Sequence, residues 1–248
     1  PFNRVDMRFM LYNIRYGTGG KRFILPTSGY FRTTGGNLSR IVRFIGETNP
    51  DIIGLVEVDF GSYRSHRRNQ AQVIADSLEC YHTYRCKYRT RSLISRIPVI
   101  NKQGNAFIAR DSIINEKFHY FTTGVKRLVI ELEMNDFVIF LVHLSLGFRV
   151  RHHQLSDLYD LVKKVRKPCI VAGDFNSLWG EGEINLFLGA TGLVNANTEG
   201  KPSFPSWAPR RHLDFVLHSS DIRITDFFTP GVQFSDHLPL VCDFEISK

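Results

Sequence analysis

Apolar residues gather into short runs separated by polar turns, and the spacing inside each run distinguishes strand from helix. Residues 7–14 (MRFMLYNI) predict a strand. Over 38–48, Leu38, Ile41, Val42 and Ile45 recur at helical spacing, with Asn37 as N-cap and Asn49-Pro50 as the stop. DIIGLVEV, next along, predicts a buried strand, and residues 67–79 a helix. YHTYRCKY, GNAFIAR, RLVIELEM and DFVIFLVHLS predict successive strands. In RHHQLSDLYDLVKKV, Leu155, Leu158, Leu161, Val162 and Val165 line one face of an amphipathic helix. PCIVAGDF predicts another buried strand and GEINLFLGATG a short helix closed by Gly192; LDFVLHSS, IRITDFFT and LPLVCDFEI predict the last strands. About ten strands and four helices imply a mixed sheet or two packed sheets with helices outside. No repeat or linker-like shift interrupts 1–248, so a single domain is expected. The least patterned stretches are 16–36 and 195–211, and long loops in a compact domain are usually functional.

A chain of 248 residues can bury a sizeable core without disulfide or metal staples. With 43% hydrophobic and 23% charged residues it is neither disordered nor fibrous. The net charge of +8 changes the picture only for partners: it favours nucleic acid, a phosphorylated lipid or a membrane surface. The four cysteines form no CxxC pair, which argues against zinc. Cys169 and Cys242 lie in apolar runs and predict buried thiols; Cys80 and Cys86 are close enough to pair in an oxidising compartment. No run reaches the roughly 18 apolar residues of a membrane span. PFNRVDMRF lacks the pattern of a signal peptide. A cytoplasmic location is favoured, with secretion the alternative if a leader was removed, and a monomer is expected.

The informative polar residues stand at the ends of apolar strands. MLYNIR carries Asn13, IIGLVEVD carries Glu57 and Asp59, FLVHLS carries His143, and CIVAGDFN carries Asp174 and Asn176. RHLDFVL opens near His212 and Asp214, and Ser235-Asp236-His237 precedes the last strand. A buried charge is costly unless it is paired or binds a metal. One such residue is a cap; six positions of this kind suggest one converging site, and sites in layered α/β folds collect at one end of the sheet. GxSxG and GxxxxGK[ST] are absent, and GTGG at 17–20 reads as a plain loop. The donor set is rich in oxygen, with imidazoles at 143 and 237. It suits a hard cation such as Mg²⁺, with Mn²⁺ as the alternative, and hydrolysis at phosphorus. Asp59 reads as a surface residue or a support to the ligands, and His152 and His153 as solvated.

In order along the chain, YNIR, LVEVD, VHLS, GDFNS, HLDFVL and SDHLPL resemble the signature of the endonuclease/exonuclease/phosphatase superfamily. That group contains DNase I, abasic endonucleases, neutral sphingomyelinases and inositol polyphosphate 5-phosphatases. The resemblance runs from residue 13 to 237. It implies a DNase I-like four-layer αββα sandwich, two packed mixed β-sheets flanked by helices. It also implies a Mg²⁺-dependent hydrolase of ester bonds, a phosphodiesterase or nuclease. By the same resemblance Glu57 binds the metal directly, and Asn13 contacts the scissile phosphate or a metal-bound water. Asp174 activates the attacking water and Asn176 holds a phosphate oxygen. His237 stabilises the transition state and is oriented by Asp214; Asp236 is a second acid at the metal or base position, and His143 contacts phosphate or helps protonate the leaving oxygen. Arg15 stands where the abasic-endonuclease branch has an Asp, which favours one principal metal. GNAF (104–107) and Lys126-Arg127 resemble site-lining elements of a broad bacterial branch and add Asn105 and Arg127 as substrate contacts.

Loop composition speaks to the substrate. GSYRSHRRNQ places Arg64, Arg67 and Arg68 just after Glu57, and Arg64 and Arg67 are expected to bind substrate. Arg85, Lys87, Arg89, Arg91 and Arg96 alternate with Tyr84 and Tyr88, a mixture that fits phosphate contact with base stacking. Loop 16–36 adds Tyr16, Phe23, Tyr30 and Phe31 among basic residues. DNA or RNA is therefore the favoured substrate. A phospholipid or small phosphate ester is the alternative and would call for apolar exposed loop tips. A catalytically silent binding module would need a broken constellation.

Overall fold

A computed structural model describes residues 6–20, 34–86, 100–110 and 113–246. Among the described residues, twelve strands form two six-stranded mixed sheets. In the first, β1 (Met7–Asn13), β2 (Ile52–Asp59), β3 (Tyr81–Cys86), β4 (Gln103–Ala109), β11 (Ile222–Phe228) and β12 (Leu240–Ile246) run in the order β11-β12-β1-β2-β4-β3. In the second, β5 (Asn115–Tyr120), β6 (Leu128–Glu133), β7 (Val138–His143), β8 (Cys169–Asp174), β9 (Val194–Asn195) and β10 (Asp214–His218) run in the order β5-β6-β7-β8-β10-β9. The β1–β2 and β7–β8 pairs are parallel, and the other pairs are antiparallel.

Strand alternation explains the layers. Phe9, Leu11, Phe107 and Phe244 from the first sheet meet Ile130, Ile139, Leu141 and Val216 from the second in a central core. The opposite set on β1 and β2, including Met10, Tyr12, Ile53 and Leu55, packs against α1 (Gly35–Thr48) and α2 (Gln70–Leu78). Val129, Phe140, Val142 and Val171 pack against α3 (Phe148–Val162) and α4 (Gly182–Thr191). The result is the expected αββα sandwich. Among the described residues no helix is long and apolar enough to cross a membrane.

Local departures have physical reasons. Helix α1 begins at Gly35, three residues before its apolar periodicity; Thr34 is the N-cap, and Asn37 instead donates to Gly17 O and Phe234 O. Helix α2 starts later than the periodicity suggests because Asn69 accepts from the backbone N–H groups of Ala71 and Gln72. Gly192 closes α4 in the left-handed conformation, as expected. Cys169 and Cys242 are buried thiols, and Cys80 is a free thiol.

Candidate active site

The sheet register brings the acidic strand ends together. His143 and Asp214 are both paired in register with Asp174, one from the parallel neighbour β7 and one from the antiparallel neighbour β10. Such close strand approach needs Gly173: a Cβ there would lie 2.0 Å from Val142 O. From the facing sheet, Asn13 Nδ2 donates to Asp174 Oδ2 at 3.0 Å. The Asn176 backbone N–H donates to Asp174 Oδ1, also at 3.0 Å, and its side chain donates to Leu144 O. His143 Nε2 lies 3.5 Å from Asp174 and 3.8 Å from Glu57.

His237, in the loop before β12, completes the group. Its Nδ1 meets Asp214 Oδ2 at 2.7 Å, Ser203 Oγ donates to the same oxygen at 2.6 Å, and Phe204 packs against the imidazole. His237 Nε2 is 3.9 Å from Asp174. Burial alone would lower the imidazole pKa. The charge and hydrogen bond of Asp214, with Asp174 and Asp236 nearby, outweigh it and raise the value to about 10. Asp174 is also raised above its usual range. Burial lifts it to about 6, against the opposing pull of His237. A buried carboxyl near neutrality beside a persistent imidazolium is an acid–base pair with separated tasks.

Asp174, Asp214 and His237 hold ligand-type atoms within 4.8 Å of one another. Asp214 Oδ2 is already committed to His237 and Ser203, so this trio is organised for protons. The donor set that fits a hard cation lies beside it. Glu57 sits on a β-bulge: between Leu55↔Ala106 and Val58↔Gly104, both Val56 and Glu57 oppose Asn105. Its φ of +57° is unusual for a non-glycine, and Arg15 and Asn176 are also left-handed. The Glu57 carboxylate is partly exposed, and its 3.8 Å separation from His143 is too long for a hydrogen bond. Asn105, fully buried, has neither amide atom hydrogen-bonded. An orphaned buried amide opposite a bulged carboxylate suits an oxygen-coordinated Mg²⁺ or Mn²⁺.

Asn13, Glu57, His143, Asp174, Asn176, Asp214 and His237 are thus brought to one end of the sandwich. Asp236 is turned to a different partner, Arg15 Nε at 3.2 Å, with Ser235 Oγ on its other oxygen. Arg15 was legible only as a missing Asp. One expected substrate contact is placed elsewhere. Arg64 is fully buried, bonded to Asp59 at 2.8 Å and seated over the Tyr16 ring, so it is not presented to a substrate. Arg127 donates to Phe121 O, bracing its own hairpin, while its neighbour Lys126 contacts His143. Arg67 is exposed on the same turn as Arg64. Asp59 corrects the surface reading: it is completely buried. His152 and His153 are exposed, as expected. Lys21, Phe23, Tyr30, Phe31, Lys87, Tyr88, Arg89, Arg91 and Arg96 lie outside the described residues.

The Endonuclease/Exonuclease/phosphatase family model matches residues 10–237, a span containing every residue of this cluster. The chain belongs to that family. Its fold is accordingly a phosphoesterase fold, and the endonuclease/exonuclease/phosphatase enzymes are hydrolases acting on phosphoester bonds, generally with a divalent metal. A UPF0294 protein of Yersinia pseudotuberculosis serotype O:1b is 34% identical over 107 residues, 42% of this chain. The match spans 40% of that curated relative's length. The human Nocturnin catalytic domain, solved with a bound sulfate anion, superposes with a TM-score of 0.70 at 23% identity, covering 99% of this chain and 98% of its own. A mannosyl-6-phosphatase of Bacteroides thetaiotaomicron gives 0.68 at 14% identity, covering 96% and 99%. These two likenesses concern the fold alone.

Proposed function

We propose that the protein is a divalent-metal-dependent phosphodiesterase that hydrolyses its substrate by in-line attack of an activated water. The observation that carries this reading is the pairing of a buried Asp174 near pH 6 with a His237 held cationic by Asp214. Asp174 takes the proton of the attacking water, and its carboxylate is held for that task by Asn13 Nδ2 and the Asn176 N–H. His237 Nε2, the ring nitrogen not engaged by Asp214, donates to a phosphoryl oxygen as charge accumulates there. Lys126 and His143 add positive charge and a proton donor on the Glu57 side. Glu57, with Asn105 and Asn13, would hold the cation, which when bound neutralises phosphate charge.

DNA or RNA is the substrate favoured by the +8 charge. The fold also serves a phosphatase of a sugar phosphate, so fold alone does not choose. A phospholipid is the second reading. It is favoured by the inward commitment of Arg64 and by the exposed apolar side chains Val125, Leu146, Phe148 and Trp179. The test is to incubate the protein with plasmid DNA, RNA, sphingomyelin and inositol phosphates, each with Mg²⁺ or EDTA. Metal-dependent cleavage of one class is expected, and absence of cleavage with every divalent metal would refute the proposal.

A further inference from the structure

Three loops at the catalytic end carry large apolar side chains in solvent: Val125 is 52% exposed, Leu146 54%, Phe148 58% and Trp179 86%. Scattered exposed hydrophobics need no explanation, but four on mutually bonded segments beside a site do. A buried polar network makes these loops one surface. Gln154 donates to Thr123 O and Lys126 O, and its Oε1 accepts from Ser145 N. Arg151, fully buried, donates to Ser145 O and Leu146 O and to Glu183 in the first turn of α4, just beyond Trp179. A Cβ at Gly124 would lie 2.7 Å from Val150 and 2.8 Å from Ser145, so the first loop is pressed against the second.

The same loops hold the site. Lys126 contacts His143, and Asn176 donates to Leu144 O. A buried Arg–Glu pair gives little net stability for its desolvation cost, but it fixes geometry. Here the geometry it fixes is that of exposed apolar tips relative to the catalytic cleft. Acidic side chains around the tips are engaged locally: Glu183 on Arg151, Asp157 on Thr122 and Glu181 on His212. Arg149 adjoins Phe148 and is exposed, and the exposed His152 ring stacks on Phe148.

We infer that Val125, Leu146, Phe148 and Trp179 form a docking surface for an anionic phospholipid bilayer, which seats the catalytic cleft against lipid headgroups. Apolar tips enter the headgroup–acyl boundary, the indole sits at the interface, and Arg149 meets the anionic surface. The occupant is chosen by composition. A nucleic-acid strand could stack on Trp179 and Phe148, but it offers nothing to the aliphatic Val125 and Leu146. The seating of the cleft on headgroups rests on the phospholipid reading of the site, the second of the two above; docking itself does not need turnover.

The experiment is sedimentation of the full chain with phosphatidylcholine vesicles containing about 30% phosphatidylglycerol. The wild type is expected to sediment. Phe148→Ser with Trp179→Ser should lower the partition coefficient roughly tenfold or more, whereas Trp179→Phe should retain it. Circular-dichroism melts should coincide for all variants, because the altered side chains are exposed. His237→Ala should bind vesicles like the wild type; if it also still hydrolysed phosphodiesters, the catalytic assignment would fail while docking stood. A wild type that stays in the supernatant, or a double variant that sediments equally, overturns the proposal. So does binding of a single-stranded oligonucleotide, lost in the double variant, without vesicle binding.

Discussion

Asp59 and Asp214 are both buried carboxylates facing a cationic partner, yet their surroundings are opposite in kind. Asp59 Oδ1 accepts from Gly61 N, Ser62 N and Ser65 Oγ, and Oδ2 accepts from Ser62 Oγ and Arg64. Both oxygens are used, and the network closes on itself. Asp214 Oδ2 serves His237 and Ser203, while its Oδ1 is buried without a partner, as are both amide atoms of Asn105 opposite the Glu57 bulge. A closed network fixes a turn. An open one retains capacity for a further partner, because a buried polar atom left unpaired costs stability until it finds one. The comparison separates structural charge from chemical charge within one chain.

The strongest way to break this comparison is to alter one cluster and read both activity and stability. Asp174→Ala should lower phosphodiester hydrolysis by roughly a thousandfold while leaving the urea midpoint close to that of the wild type. Arg64→Ala should do the reverse. Leaving Asp59 buried and unpaired costs about 3–5 kcal/mol, read as a loss of roughly 10 °C in melting temperature, with kcat of the remaining folded enzyme little changed. If Arg64→Ala instead raised KM without destabilising the fold, its placement in a closed network would be wrong.

Titration sharpens the contrast further. In metal-free protein, NMR should show the His237 imidazole protonated until about pH 10 and the Asp174 carboxyl titrating near pH 6. Asp214→Asn should bring the His237 titration down substantially. Both groups have folded-state values raised above their unfolded ones. Each therefore stabilises the metal-free fold in its protonated form. Asp174's contribution, complete below its unfolded value near 3.8, is lost as pH rises through about 6. That of His237, complete below 6.5, is lost through about 10. The smallest effect is expected at Arg67→Ala, an exposed side chain whose removal should move the melting temperature by no more than about 1 °C.

Strand periodicity made the central strands legible because they are apolar on both faces, and the polar group that ends each run marks where burial stops. Strand β5 escaped notice because NEKFHY is an edge strand with a largely exposed, charged pattern, and β9 because it has only two residues. At the candidate site, strand-end position marked Asn13, Glu57, His143, Asp174 and Asp214, which the fold brings together. Side-chain direction was not legible. Lys126 and Arg127 are adjacent, and only the fold tells which one meets His143. Arg64 looked like a phosphate ligand because arginine is usually exposed; the Asp59-x-x-Ser62-x-Arg64-Ser65 spacing, read as a local network, was the signal available. Arg15 carried no signal beyond its departure from an acidic position, since its partner Asp236 lies at the far end of the chain.

The most direct test of the open cluster as a phosphoester-hydrolysing centre is the initial rate on bis(p-nitrophenyl) phosphate with Mg²⁺ or Mn²⁺, for wild type and His237→Ala. The account predicts hydrolysis by the wild type that is abolished by EDTA, and a rate lower by orders of magnitude in the variant at unchanged melting temperature. Equal rates in the two proteins, or hydrolysis indifferent to EDTA, would contradict it.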